Sequence, residues 1–158
     1  MNRHSFCPGR SMIVRDILLM KGNALFTIGP EARLSQAVGI MVKNDIGSLL
    51  VVRDGRMAGK LTFRDVLARL DARGGSLGDA TVEEAMVRNP AVVAPEDTVD
   101  QVLDIMTARH VRYLPVMDGD HLLGVISYYD VAKASLAEAA SENRLLRRYI
   151  ESQAEQER

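Results

Sequence analysis

The chain has 158 residues, enough for one ordinary domain or for two small ones sharing a body. Its 20 Lys and Arg against 21 Asp and Glu leave a net charge of −1, so there is no electrostatic case for nucleic acid or an anionic membrane as partner. Apolar residues make up 47%, an ordinary globular share, and no apolar run approaches the roughly 18 residues needed to span a bilayer.

Residues 1–11 carry Arg3 and Arg10 but no apolar stretch, which excludes a signal peptide; they read as a disordered leader. Cys7 is the only cysteine and cannot form an internal disulfide, so the expected compartment is the cytoplasm. Residues 14–20 form a short apolar helix closed by Lys21-Gly22. A strand at 25–28 ends at Gly29-Pro30, and Leu34, Ala37, Val38, Met41 and Val42 then fall at helical spacing. The apolar run 48–53 is a buried strand, Asp54-Gly55 a hairpin turn and 57–61 the returning strand. A helix follows from Thr62 to about residue 72, and the glycines of 73–78 mark a linker. The order then recurs: short helix 82–86, strand 91–94, helix 98–109, strand 112–117, turn 118–120, strand 122–126. A last helix starts at Tyr128, rich in alanine, and its end beyond Glu151 is polar and expected to fray.

The recurrence extends to individual residues. Gly59, Thr62, Asp65 and Val66 match Gly124, Ser127, Asp130 and Val131, an offset of 124 − 59 = 65. The same offset pairs Pro30-Glu31 with Pro95-Glu96, Gln36 with Gln101, and Ile40-Met41 with Ile105-Met106. A repeat this long means two copies of one supersecondary unit. Each copy is too small to bury much apolar surface alone, so the two are expected to share a core.

Two β-α-β-β-α units, each closing on glycine, two apolar residues, Ser or Thr, two residues and Asp, resemble a tandem pair of CBS domains, a Bateman module. Arg112-Tyr113-Leu114-Pro115-Val116 fits the same pattern. The resemblance covers residues 14–136 and implies a stand-alone bacterial-type CBS-domain protein. It gives units at 12–73 and 81–136, a linker at 74–80 and a helical extension at 137–158. The implied fold is α/β (α+β): two three-stranded sheets packed together about a pseudo-two-fold axis, helices outside, and a long C-terminal helix.

The resemblance also implies two clefts between the copies that hold adenine nucleotides. Carried over by position, the first site joins Thr62, Arg64 and Asp65 to Asn89, Ala91, Val111 and Arg112. The second joins Ser127, Tyr129 and Asp130 to Ala24, Phe26, Ile46 and Gly47. The chemistry is coherent. A carboxylate can accept hydrogen bonds from both ribose hydroxyls, and the free N–H groups at a helix start favour a phosphate beside Thr62 or Ser127. The same Thr-x-x-Asp and Ser-x-x-Asp spacing is also a capping box, so both readings stand. Arg64 and Arg112 supply two cations to the first site, where the second has Tyr129 and Gly47. The Asp65 site is therefore expected to bind AMP-like ligands more tightly. The bland alternatives are a solvated helix face for Arg64 and a surface ion pair for Arg112. Leu50 in place of Pro115, Gly47-Ser48 in place of Arg112-Tyr113, and Val92-Val93 without a hydroxyl depart from the family pattern.

His4, His110 and His121 have no metal-ligand spacing, and no nucleophile and base signature is present, so neither a metal site nor an enzyme is expected. The expected function is a regulatory sensor of AMP, ADP or ATP, with NADH or S-adenosylmethionine as other ligands, acting as a homodimer on a regulated protein. The alternative is a ligand-independent interaction or oligomerisation module. It would act through the last helix, where Leu145, Leu146, Tyr149 and Ile150 form an apolar cluster, and higher oligomers follow from the same helix.

Overall fold

The computed structural model describes residues 11–22 and 24–156, with side chains as far as Glu151. The expected leader lies, apart from Ser11, outside the described residues. The first copy comprises α1 (Val14–Lys21), β1 (Thr27–Ile28), α2 (Leu34–Asn44), β2 (Ser48–Arg53), β3 (Arg56–Thr62) and α3 (Phe63–Ala72). The second comprises α4 (Val82–Ala85), α5 (Val99–Arg109), β4 (Tyr113–Asp118), β5 (His121–Ser127) and α6 (Tyr128–Gln156).

Local chemistry accounts for the hairpins. Asp54 and Gly55 both take positive φ, 51° and 75°, the signs a two-residue turn needs to follow the strand twist. Each hairpin shifts register once, between Val51 and Val52 and between Val116 and Met117, again 116 − 51 = 65 residues apart. The repeat thus reproduces an irregularity as well as the regular elements.

In the first sheet β1 lies parallel to β2, and β2 antiparallel to β3. The second sheet departs from the three strands expected. β4 and β5 pair fully, but the strand expected at 91–94 narrows to one parallel bridge, Val93 to Val116. Val93 N donates to Pro115 O at 3.0 Å and Met117 N to Val93 O at 2.9 Å. The cause is Pro115. Its counterpart Leu50 donates its N–H to Phe26 O at 3.1 Å, whereas Pro115 has no N–H to offer Ala91, and the ladder stops there.

The apolar residues divide into two cores, and each core borrows a helix. Val14 and Ile17 of α1, 0% and 3% exposed, pack with Val99, Val102, Leu114, Val116, Ile126 and Val131 of the second copy. Val82 of α4 and Met86 pack with Leu34, Leu49, Val51 and Leu61 of the first. Backbone bonds fix the exchange: Val14 N donates to Asp97 O and Arg15 N to Pro95 O, while Val82 N donates to Ala32 O and Glu83 N to Pro30 O. Neither copy completes its core without the other, which is how units of this size bury enough surface. The exchanged helices also break the repeat. Val14 and Val82 occupy equivalent places at an offset of 82 − 14 = 68, because α1 is longer than α4. Among the described residues no helix is long and apolar enough to cross a membrane.

Candidate functional site

Both repeated aspartates cap their own helices. Asp65 Oδ2 accepts from Thr62 N at 2.7 Å and from Thr62 Oγ1 at 2.6 Å, while Asp65 N donates to Thr62 Oγ1 at 3.3 Å. Asp130 Oδ2 accepts from Ser127 N at 2.8 Å, and Asp130 N donates to Ser127 Oγ at 3.1 Å. The capping-box reading holds at both positions.

The surroundings of the two carboxylates differ. Lys21, at the end of the long α1, places Nζ 2.7 Å from Asp130 Oδ2 and 3.1 Å from Val125 O. The Asp130 side chain is only 16% exposed. Burial alone would raise its carboxyl, but the hydrogen bonds from Lys21 and Ser127 N and the Lys21 charge together hold it below the usual carboxylate range. In the first copy the equivalent strand position is Lys60, itself 5% exposed. Its Nζ crosses to the second copy and donates to Tyr113 O at 2.7 Å.

Between the copies lies a cleft of about 1080 Å³. One wall comes from the α2–β2 junction, Asp45 to Ser48, and the opposite wall from the equivalent α5–β4 junction, His110 to Tyr113. Asp45 and His110 end their helices with φ of 51° and 52°, which turns both chains inward at the same point of the repeat. Phe26, Ile46, Val111 and Val125 supply apolar surface. Lys21, Arg64 and Arg112 supply positive charge, and Asp45 the negative charge. Tyr128 and Tyr129, 49% and 73% exposed, stand at the start of α6. Gly47 makes room for Tyr113: a Cβ there would lie 1.9 Å from the Tyr113 hydroxyl. Apolar walls with a few polar anchors, in this volume range, suit a small organic ligand.

The cleft gathers most of the second expected set. Ala24, Phe26, Ile46, Gly47, Ser127 and Tyr129 line it, and Asp130 stands just behind, bonded to the lining residues Lys21 and Ser127. From the first set, Arg64, Val111 and Arg112 line the same cleft, whereas Thr62, Asp65, Asn89 and Ala91 do not. Asn89 is exposed and takes a positive φ of 50° before Pro90. Arg64 and Arg112 form no ion pair among the described residues, whereas the third cleft cation, Lys21, is paired with Asp130. Sequence reasoning missed Lys21, Lys60 and Tyr113. A lysine inside the apolar strand 57–61, opposite Val125 in the repeat, is the signal that marks Lys60. Among the described residues no group of three His, Cys, Asp or Glu could hold a metal ion.

The CBS domain profile matches the chain twice, at residues 14–72 and 82–137. The CBS-domain containing protein ATU1752 from Agrobacterium tumefaciens is 32% identical; its structure aligns with a TM-score of 0.76 over 84% of this chain and 99% of that one. The CBS domain pair of protein MJ0100, solved in complex with methylthioadenosine and S-adenosyl-L-methionine, is 25% identical with a TM-score of 0.69, over 77% of this chain and 98% of that one. Arabinose 5-phosphate isomerase KdsD of Yersinia pestis is 32% identical over 130 residues, which make up 81% of this chain but only 39% of the isomerase.

Proposed function

Since the chain belongs to the CBS-domain family, with one copy at residues 14–72 and another at 82–137, we propose that it is a cytoplasmic regulatory module. It binds an adenosine-type ligand in the cleft between its copies and passes the bound state to a partner protein. The observation that carries this reading is the composition of the cleft. Phe26 and Ile46 offer a face for a base, Asp130 a carboxylate for ribose, and Arg64, Arg112 and Lys21 unpaired or exchangeable charge for phosphate. The methylthioadenosine and S-adenosylmethionine held by a structural neighbour support the nucleoside part. The three cations favour AMP, ADP or ATP over uncharged nucleosides, with NADH as a further phosphate-bearing candidate.

In this reading the main site lies at Asp130 rather than at Asp65. The Asp65 side was expected to be the tighter one because of Arg64 and Arg112, yet both arginines line a cleft that opens toward Ser127 and Tyr129. A ligand signals only if it binds one arrangement of the two copies better than another, and both copies form the walls here. The test is a melting curve with AMP, ADP, ATP, methylthioadenosine and S-adenosylmethionine in turn. A ligand at 100 times its dissociation constant is expected to add about 2.7 kcal/mol of stability, or roughly 5–11 °C for a domain of this size. No shift with any of the five at millimolar concentration refutes the proposal.

A second reading has its own observation. On α6, Leu145, Leu146 and Ile150 are 43%, 61% and 65% exposed and recur on one face. The corresponding proposal is self-association through this helix, independent of ligand. Leu146→Glu together with Ile150→Glu is then expected to lower the sedimentation mass without changing the melting shift. An unchanged mass removes this reading.

A further inference from the structure

The two halves of the molecule are tandem copies in sequence, yet of the two closing motifs the cleft takes Ser127 and Tyr129 from the second and only Arg64 from the first. The repeat shows why. On the open side the lining positions are Val125 on β5 and Ser48 on β2. At an offset of 65 the counterpart of Val125 is Lys60, a longer side chain that does not line the cleft, whereas the counterpart of Ser48 is Tyr113, which lines this same cleft from the opposite wall. Lys60 is 95% buried by area, being 5% exposed, and its ammonium is spent on a hydrogen bond to the Tyr113 carbonyl at 2.7 Å. The backbone closes the same side. Lys60 N donates to Val87 O at 3.0 Å and Val87 N to Lys60 O at 2.8 Å, so the segment after α4 zips onto β3. On the open side, no backbone bridge joins Val125 to the segment after α1 among the described residues. The longer α1 puts Lys21 there, reaching Val125 O with its side chain.

A buried ammonium is costly unless something on the protein compensates it. Burial pushes the Lys60 amine down, and the charge of Asp65 acts in the opposite direction. Lys60 holds the repeat position of Val125, which lines the open cleft, on the strand that leads into the helix of Asp65. We infer that Lys60 is a built-in occupant of the Asp65 half-site: its side chain replaces a ligand there, so that each chain takes up one ligand, on the Asp130 side. This rests on the proposed ligand-binding function and adds a stoichiometry and the residue that sets it. The closed half is a fixed support, and the open half is the one that responds.

Isothermal titration of the full chain with ATP and with methylthioadenosine reads the stoichiometry directly. The wild type is expected to bind one ligand per chain. Lys60→Val, which installs the open-side residue, is expected to bind two, whereas Lys60→Met, which keeps the length and drops the charge, is expected to bind one. Two ligands on the wild type, or one on a folded Lys60→Val protein, overturns the inference while leaving the proposed function intact. Binding by none of the three proteins overturns the proposed function and the inference with it. If Lys60→Val does not fold, Asp65→Asn decides. It is expected to change the wild-type dissociation constant by less than about twofold, against about tenfold or more for Asp130→Asn, and an equal loss for the two variants overturns the inference.

Discussion

Ile17→Ala is expected to lower the unfolding free energy by about 3 kcal/mol, as truncation of a buried isoleucine leaves both lost transfer energy and a cavity. For a chain of this length that is a fall of roughly 6–12 °C in melting temperature. The location of the damage is the informative part. Ile17 belongs by sequence to the first copy, but it is 3% exposed inside the core of the second, against Val99, Leu114 and Ile126. Hydrogen exchange of the variant is therefore expected to lose protection first in β4 and β5, with β2 and β3 following. Equal or earlier loss in β2 and β3 would mean that α1 packs on its own copy.

The second large effect falls on the cleft. Asp130→Ala is expected to weaken binding of the ligand by about 10-fold to 150-fold, the loss of a charged hydrogen-bond acceptor. It also removes a cap, at a cost of about 1 kcal/mol, and leaves the Lys21 ammonium without its carboxylate. Asp65→Ala removes the same type of cap and is expected to cost about 1 kcal/mol with little change in binding, since Asp65 bonds Thr62, which does not line the cleft, whereas Asp130 bonds the lining residues Lys21 and Ser127. Titration separates the two variants, and a larger binding defect in Asp65→Ala contradicts the site. The pH dependence of the folded protein follows from the same contacts. Lys21 and Ser127 hold Asp130 below the usual carboxylate range. The folded state thus binds the Asp130 proton less readily than the unfolded state. The stability this contributes is complete above the unfolded value of about 3.9 and is lost as pH falls through the lower folded value. The stability gap between wild type and Asp130→Asn is expected to be constant from neutral pH to about pH 5 and to shrink below about pH 4.

The parts of the fold that follow from local chemistry were legible in the chain. Asp54-Gly55 announced its hairpin through backbone preference, and the Thr62 and Ser127 motifs announced helix starts through side-chain caps. The 65-residue offset carried the element order from one copy to the next. Contacts that cross between copies were not legible in this way. The exchange of α1 and α4 leaves the hydrophobic pattern of each helix unchanged, because Val14 and Val82 are buried whichever core receives them. The change of offset from 65 to 68 upstream of Pro30 was its trace. The shortened strand at Val93 had a visible cause in Pro115, whose missing N–H mattered only once its partner was known to be Ala91. The candidate site was read as two sets of residues, and the structure mixes them. Position in the repeat predicted which residues face the boundary, but the size and burial of Lys60 against Val125 bear on where space remains.

α6 gives the molecule a long lever. Tyr128, Tyr129 and Ala132 at its root line the cleft, and its 29 residues extend to Gln156. At about 1.5 Å per residue it is roughly 43 Å long. A tilt of about 5° at its base, the scale of a side-chain rearrangement around a bound molecule, swings the tip by about 4 Å, enough to make or break a contact with whatever the tip touches. Amplification of that kind needs no movement of either sheet.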